Sequence, residues 1–222
     1  GGTYPTPQPG SATPIRIKAG GNANDDAAGS GARSLRITGV DENFNFASEV
    51  VITAGASASS PTSTNFLRVH TLIVEESGTY ATAAAGSHTG DITIEDSAGS
   101  QDWGMIDSIG FATSRSEIGC YTIPAGRTGY VKLRSVSIDS GKTVDLVFFA
   151  RQNADQTSPP YSSMQAQSVV SGVSGGSIES FGSVDVPFGP YVGPTDVGFM
   201  AKVSAGSASV SVEFEIFIIN EI

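Results

Sequence analysis

Apolar and polar side chains alternate in two runs, residues 33–40 and 45–53, which a polar turn separates. Leu35 and Ile37 each stand between polar neighbours, and this period of two is typical of a half-buried β-strand. The turn falls at Asp41-Glu42-Asn43, so the stretch predicts a β-hairpin. A hairpin needs further strands to cover its apolar face, which favours an all-β fold.

Short strand-like runs continue along the chain, with Gly, Pro and Asp at the turns between them. Two segments are typical of tight turns: Pro124-Ala-Gly126, in which proline restricts φ, and Asp139-Ser-Gly141. Both end in a glycine, which accepts the positive φ that such turns require. Charged residues make up 15 % and hydrophobic residues 39 %, and no helix of ordinary length is indicated. The pattern weakens near residue 115. We therefore expect two consecutive β-sandwich or jelly-roll-like domains, residues 14–115 and 116–222.

The core of the second domain can be placed from two long alternating runs. We expect the following side chains to pack together: Val144, Leu146 and Phe148 with Val212, Phe214 and Ile216. The second run becomes apolar on both faces at Phe217 and Ile219, so its end is predicted to be buried on both faces.

Residues 1–13 are predicted to form an extended arm. Pro5, Pro7 and Pro9 favour polyproline II and oppose both helix and central strand. The segment has no basic flank and no apolar centre, so it is not a signal peptide, and it lacks an initiator methionine. We expect the arm to lie across a neighbouring subunit, with Tyr4 and the three prolines at the interface.

The charge balance excludes several partners. The formal net charge is −10 with a pI near 4.5, and neither half of the chain carries a basic run. Direct binding to nucleic acid is therefore not expected. No apolar run approaches the length that spans a bilayer, so no membrane association is predicted.

The sequence contains no recognisable catalytic or metal-binding pattern. Cys120 lies in an apolar strand-like run and is expected to be a buried, inert thiol. His70 is expected to be half-exposed in a strand and His88 to be solvated in a loop, and neither has a ligand partner at metal-binding spacing. The loop Asn22–Asp26 lacks most of a calcium-binding pattern. No enzyme activity, metal or cofactor is predicted.

Aromatic side chains offer the remaining candidate surface. Tyr161 and Tyr191 each lie beside a proline, so we expect them in exposed loops at an interface. A sugar-stacking platform is an alternative use of such residues; its further members would be Trp103, Tyr121 and Tyr130.

Several segments resemble parts of virion proteins from tailed bacteriophages. In the hairpin these are Gly31-Ala-Arg33, the Gly39-Val-Asp41 turn and the Ser48-Glu-Val50 strand. The strand-turn-strand segment Tyr121–Tyr130 and the Pro194-Thr-Asp196 step before the final strands add to the likeness. The short, acidic chain without a repetitive stalk is most similar to a head decoration, or cement, protein.

The resemblance implies a non-enzymatic protein on the capsid exterior. Its partners would be the major capsid protein and further copies of itself, with a homotrimer expected from the family. Two alternatives stay open: a tail or vertex adaptor or receptor-binding protein of the virion, and a carbohydrate-binding β-sandwich module.

Overall fold

The structure, a computed structural model, describes residues 11–82, 86–108, 114–174 and 187–220. Every regular element within these ranges is a β-strand, which confirms the predicted all-β class. The chain divides into two compact units, residues 1–118 and 119–222. None of the described residues lies in a helix that could cross a membrane.

Among the described residues, the first unit contains six strands and the second contains seven. In chain order they are β1 Thr13–Ile17, β2 Ala32–Asp41, β3 Phe46–Ile52, β4 Asn65–Ser77, β5 Ile92–Asp96, β6 Asp102–Ile106, β7 Cys120–Ile123, β8 Arg127–Ile138, β9 Thr143–Gln152, β10 Gln165–Ser174, β11 Phe188–Val192, β12 Thr195–Val203 and β13 Val210–Asn220.

The first unit is built on one antiparallel sheet in the order β3-β2-β4-β1-β5-β6. Strand β1 changes partner along its length, pairing with β4 through Thr13 and Pro14 and then with β5 from Ile15 to Ile17. This change of partner joins the β3-β2-β4 half of the sheet to the β5-β6 half.

The predicted hairpin is confirmed as β2 and β3, which pair from Ser34↔Ile52 to Val40↔Phe46. The Asp41 carboxylate holds the turn by accepting the backbone N–H groups of Asn43 and Asn45, at 2.8 and 2.9 Å. A short polar side chain at the first turn position thus accepts hydrogen bonds from backbone N–H groups that are not paired between the strands.

All six strands of the first unit contribute to one apolar core. Leu35 and Ile37 of β2 are fully buried there, as the period of two predicts, and Trp103 of β6 is buried with them. Burial of these side chains away from water is the main stabilising term for the unit.

Both histidines are buried, so the expectations that His70 is half-exposed and His88 solvated are wrong. His70 lies on β4, which has β2 on one side and β1 on the other, and both faces of β4 are covered from Phe66 to His70. The loop that carries His88 is held against the protein because the Asp25 carboxylate accepts the N–H groups of Thr89 and Gly90.

The second unit contains two antiparallel sheets, ordered β10-β9-β12-β7 and β11-β8-β13. Strand β9 is central in the first sheet and pairs with β12 over nine positions, from Thr195↔Gln152 to Val203↔Val144. Strand β8 is central in the second sheet and pairs with β13 along its whole length.

The predicted core of the second unit is confirmed. Val144, Leu146 and Phe148 are buried. The three residues expected opposite them pack against the same two clusters in partly buried positions: Val212, Phe214 and Ile216. The Phe148 ring lies 4.9 Å from that of Phe188 and 5.0 Å from that of Phe199, measured between centroids.

The prediction that β13 ends buried on both faces is wrong. Phe217, Ile218 and Ile219 are all exposed. Strand β13 lies at the edge of its sheet, and within the described ranges its pairing partner is β8. Apolar character on both faces therefore marks a surface here and does not mark an interior strand.

Candidate functional site: exposed apolar side chains on edge strands

Edge strand β3 presents an apolar stripe on the face that points away from the core. Phe46 is 60 % exposed and Ile52 is 54 % exposed, with Val50 between them. The alternate residues point inward, where Val51 joins the core. The stripe, defined as Phe46, Val50 and Ile52, exists because side chains alternate between the two faces of a strand.

The open edge of β3 can be assigned from the hydrogen bonds to β2. Thr53 donates its N–H to the Arg33 carbonyl, and Asp41 donates to the Asn45 carbonyl. Antiparallel neighbours alternate between bonded and non-bonded pairs, so the odd-numbered residues of β3 bond to β2. The stripe residues and one exposed serine therefore direct N–H and C=O groups away from β2: Phe46, Ser48, Val50 and Ile52.

A second exposed apolar patch lies at the end of β13. Phe217 and Ile219 are each 49 % exposed and stand opposite Tyr130 and Thr128 of β8. Val192 of β11, also exposed, pairs with Thr128 from the other side. The patch, defined as Phe217, Ile219 and Val192, thus lies on β13 and β11, on either side of Thr128 of β8.

Two carboxylates next to this patch have partners within the protein. Glu215 lies 3.0 Å from Arg134, measured between Oε1 and Nη2. Glu213 accepts a hydrogen bond from the Ser135 hydroxyl at 3.1 Å. Because both groups are exposed, these contacts add little stability.

Other edge strands carry features that hinder pairing with another chain. Strand β11 contains Pro190 and a register irregularity, and β10 has two such irregularities, the second of which contains Gly172. Proline and bulges are common ways of blocking an exposed edge. Strand β3 pairs with β2 without a break in register.

Of the predicted interface residues, Tyr4, Pro5, Pro7 and Pro9 lie outside the described residues. Tyr161 is exposed, as expected, and its ring lies 5.9 Å from the Arg151 guanidinium carbon.

Tyr191 is not a surface residue, and the expectation that it is one is wrong. It lies in β11, is 5 % exposed and packs against Phe148 at 6.1 Å between ring centroids. Proline is tolerated on an edge strand, so Pro190 does not place its neighbour in a loop. Burial also raises the pKa of the Tyr191 hydroxyl.

The polar residues considered for chemistry serve packing instead. Burial, reinforced by the Asp196 carboxylate, raises the pKa of Cys120 to about 12, so its thiol is inert at neutral pH. Asp196 itself is buried and accepts a hydrogen bond from the Thr122 hydroxyl at 2.6 Å. Asp25, in the loop considered for calcium, is buried and accepts the N–H of Ala32 at 2.8 Å. Within the described ranges, no three His, Cys, Asp or Glu side chains are grouped as metal ligands.

Sequence reasoning missed both the stripe and the patch. Each carries a signal in retrospect: Phe46, Val50 and Ile52 repeat with period two on a face that holds no charge, and residues 216–219 form an uninterrupted apolar run. The signal is ambiguous because core and interface positions share the same hydrophobicity.

No family model matches the chain, no curated protein matches it in sequence, and no solved structure matches it.

Proposed function

We propose that this chain is a non-enzymatic structural protein of a bacteriophage virion, which binds the capsid exterior as a homo-oligomer and stabilises the lattice. The observation that carries the proposal is the exposed apolar surface on edge strands of both units, the stripe on β3 and the patch on β13. Clusters of this kind are typical of surfaces that bind other proteins.

An adhesive role needs contact area and repetition. Each exposed cluster holds three large apolar side chains. One such contact is weak, but many copies of an oligomer that bind one lattice together gain affinity through avidity. Edge strands also offer backbone donors and acceptors, to which an extended segment of another protein can bind.

The charge of the chain fits a position on the outside. A net charge of −10 opposes contact with packaged nucleic acid and favours solubility at high local concentration. Acidic residues are spread over both units.

We infer further that the two sheets of the second unit face each other as a β-sandwich with jelly-roll character. Phe199 of β12 in one sheet lies 5.2 Å from Phe214 of β13 in the other, and Phe148 of β9 contacts Phe188 of β11. Residues of both sheets share two apolar clusters, as the inner faces of a sandwich do.

The carbohydrate-binding alternative is weakened by burial. Trp103 and Tyr191, two of the five aromatic residues considered for a stacking platform, are buried and present no ring face to a sugar. A tail or vertex adaptor would use the same kind of adhesive surface, and copy number in the particle separates it from decoration.

The binding experiment uses purified capsids from the phage that carries the gene. Capsids are sedimented with the full chain and with the double variant Phe217→Ser, Ile219→Ser, which makes the β13 patch polar. The control is Tyr80→Ser, an exposed aromatic residue outside the patch and the stripe. We expect the double variant to bind at least tenfold more weakly and the control to bind like the original protein. Equal binding by all three would contradict the role given to the patch, and absence of binding by the original protein would contradict the proposed function.

A further inference from the structure

The open edge of β3 is complementary to itself. Phe46, Ser48, Val50 and Ile52 direct their N–H and C=O groups away from β2, and β3 is the last strand of its sheet. We propose that β3 of a second copy of this chain pairs with this edge in the antiparallel sense about a twofold axis, so that the sheets of two copies join into one. The pairing names a self-contact of the homo-oligomer, and so rests on the proposed function for its purpose.

Turns at both ends limit the open edge to residues 46–52. Before β3, Phe44 has a φ of 60° in the turn from β2. After β3, Gly55 has a φ of 61° in the turn that follows. Left-handed backbone of this kind does not continue the extended conformation that strand pairing needs. The edge therefore consists of the seven residues of β3, and its midpoint is Glu49.

One register uses the whole edge. When the twofold axis passes Glu49, Phe46 stands opposite Ile52 of the second copy, and Ser48 stands opposite Val50. Every such pair joins two residues whose backbone groups point outward, so each pair exchanges two hydrogen bonds. A shift by two residues in either direction sets one end of each β3 against a turn and loses one of these bonded pairs. The bounded edge thus selects the register that is centred on Glu49.

The same register covers the exposed stripe. Residues directly opposite each other in an antiparallel pair lie on one face, so Phe46 of each copy packs beside Ile52 of the other. An aromatic ring beside a β-branched side chain is among the favourable cross-strand pairs. The two Val50 side chains become diagonal neighbours across the axis. Phe46 and Ile52 are more than half exposed in a single copy, so the pairing removes apolar surface from water.

The charge at the centre limits the strength of the pairing. The two Glu49 residues stand opposite each other on the core side, and like charges in this position are unfavourable. Each carboxylate is held by its own chain, because it accepts the N–H groups of Ser63 and Thr64 at 2.8 Å. The contact has seven residues on each side, whereas a stable interface has about 20–30. We therefore expect a weak pair that forms where copies are concentrated, as they are on a lattice.

Disulfide trapping tests the pairing and its register. Chains with Ser48→Cys are mixed with chains of different mass that carry Val50→Cys, and the mixture is oxidised. Opposite residues of a bonded pair have Cα atoms about 5.5 Å apart, which a disulfide can span. In either variant alone the new cysteines are diagonal neighbours, about 7–8 Å apart, which is too far. Burial and the Asp196 carboxylate raise the pKa of Cys120 to about 12, so its thiol does not compete.

We expect a disulfide between chains of different mass in the mixture and little trapping in either variant alone. The control for random collision mixes Ser48→Cys with Ala98→Cys, at an exposed position on the turn between β5 and β6, and should trap little. No disulfide in the first mixture, or equal trapping by the control, would overturn the pairing. Trapping of Ser48→Cys or Val50→Cys alone at the rate of the mixture would overturn the register.

A second measurement uses no cysteine and removes one backbone donor. Ser48→Pro deletes an N–H that points outward and leaves the bonds to β2 in place, whereas Ser48→Ala keeps that N–H. The twofold axis doubles the loss, so we expect Ser48→Pro to raise the dissociation constant of the pair at least about tenfold in sedimentation equilibrium. Ser48→Ala should leave the constant unchanged. Equal constants for the two variants would contradict the pairing.

The same samples separate this proposal from the proposed function. If trapping fails while the full chain still binds capsids, self-pairing is wrong and the capsid role stands. Loss of that binding in Ser48→Pro would then assign the edge to the capsid protein. If trapping succeeds while capsids are not bound, self-pairing is right and the capsid role is wrong.

Discussion

The Asp25 carboxylate fills the space that a side chain on Gly31 would need. A Cβ at position 31 would collide with Asp25 Oδ1 and would also crowd the Thr89 hydroxyl. The carboxylate is fixed there because it accepts backbone N–H groups from Ala32, Thr89 and Gly90. One buried side chain therefore joins the start of β2 to the loop before β5.

Replacement of this carboxylate should destabilise the first unit. Asp25→Ala leaves three backbone N–H groups without their acceptor, and we expect it to lower the free energy of unfolding by roughly 3 kcal/mol. Gly31→Ala should be destabilising too, because the carboxylate has to move. Asp26→Ala is the control, since that side chain accepts one exposed bond from Ala28, and it should cost less than about 1 kcal/mol in urea unfolding. Equal costs for Asp25→Ala and Asp26→Ala would contradict this account.

His70 should make the first unit sensitive to mild acid. Burial, with the nearby Arg68 cation, lowers the pKa of His70 from 6.5 to about 3. Between these values the unfolded chain binds a proton that the folded chain does not, so stability falls as the pH falls through this window. From pH 7 to pH 5 we expect a loss of about 2 kcal/mol, measured by urea unfolding. The carboxylates Glu49 and Asp96, whose pKa values are lowered, titrate below this range.

The variant His70→Gln separates this effect from other titrations. It cannot take up the proton, so its free energy of unfolding should change little between pH 7 and pH 5, whatever its value at pH 7. A pH dependence as steep as that of the original protein would show that His70 is not the responsible group.

Cys120 should resist alkylation in the folded protein. With its pKa raised to about 12, the thiolate fraction at pH 8 is about a thousandfold smaller than in the unfolded chain. Iodoacetamide should therefore modify the native protein at least a hundredfold more slowly than the protein in denaturant, as followed by mass spectrometry. Similar rates in the two states would mean that the strand β7 opens readily or that the thiol is accessible.

The contrast between Phe148 and Phe217 tests which apolar residues form the core. Phe148 is buried against aromatic neighbours, so Phe148→Ala should cost about 3–5 kcal/mol. Phe217 is half exposed, so Phe217→Ala should cost less than about 1 kcal/mol in the isolated protein. A large cost for Phe217→Ala would indicate that the end of β13 is buried.

The strands themselves were predictable because alternation of side chains determines which residues can share a face. The hairpin of β2 and β3 and the packing of Val144, Leu146 and Phe148 against the final strand follow from this period.

Burial was less predictable because it depends on neighbours that are distant in sequence. His70 is buried because both faces of β4 are covered at this point, and Tyr191 because it packs against Phe148 of β9. Phe46 and Phe217 show the opposite case, since local sequence does not tell whether an apolar face meets the same chain or another molecule.

The central claim is that this chain coats a capsid, and its abundance in purified particles tests that claim most directly. Quantitative mass spectrometry of virions, with the major capsid protein as the internal reference, gives the number of copies per particle. The account predicts hundreds of copies, in a fixed ratio to the capsid protein. A few to a few dozen copies would assign the chain to the tail or a vertex, and its absence from the particle would contradict a structural role in the virion.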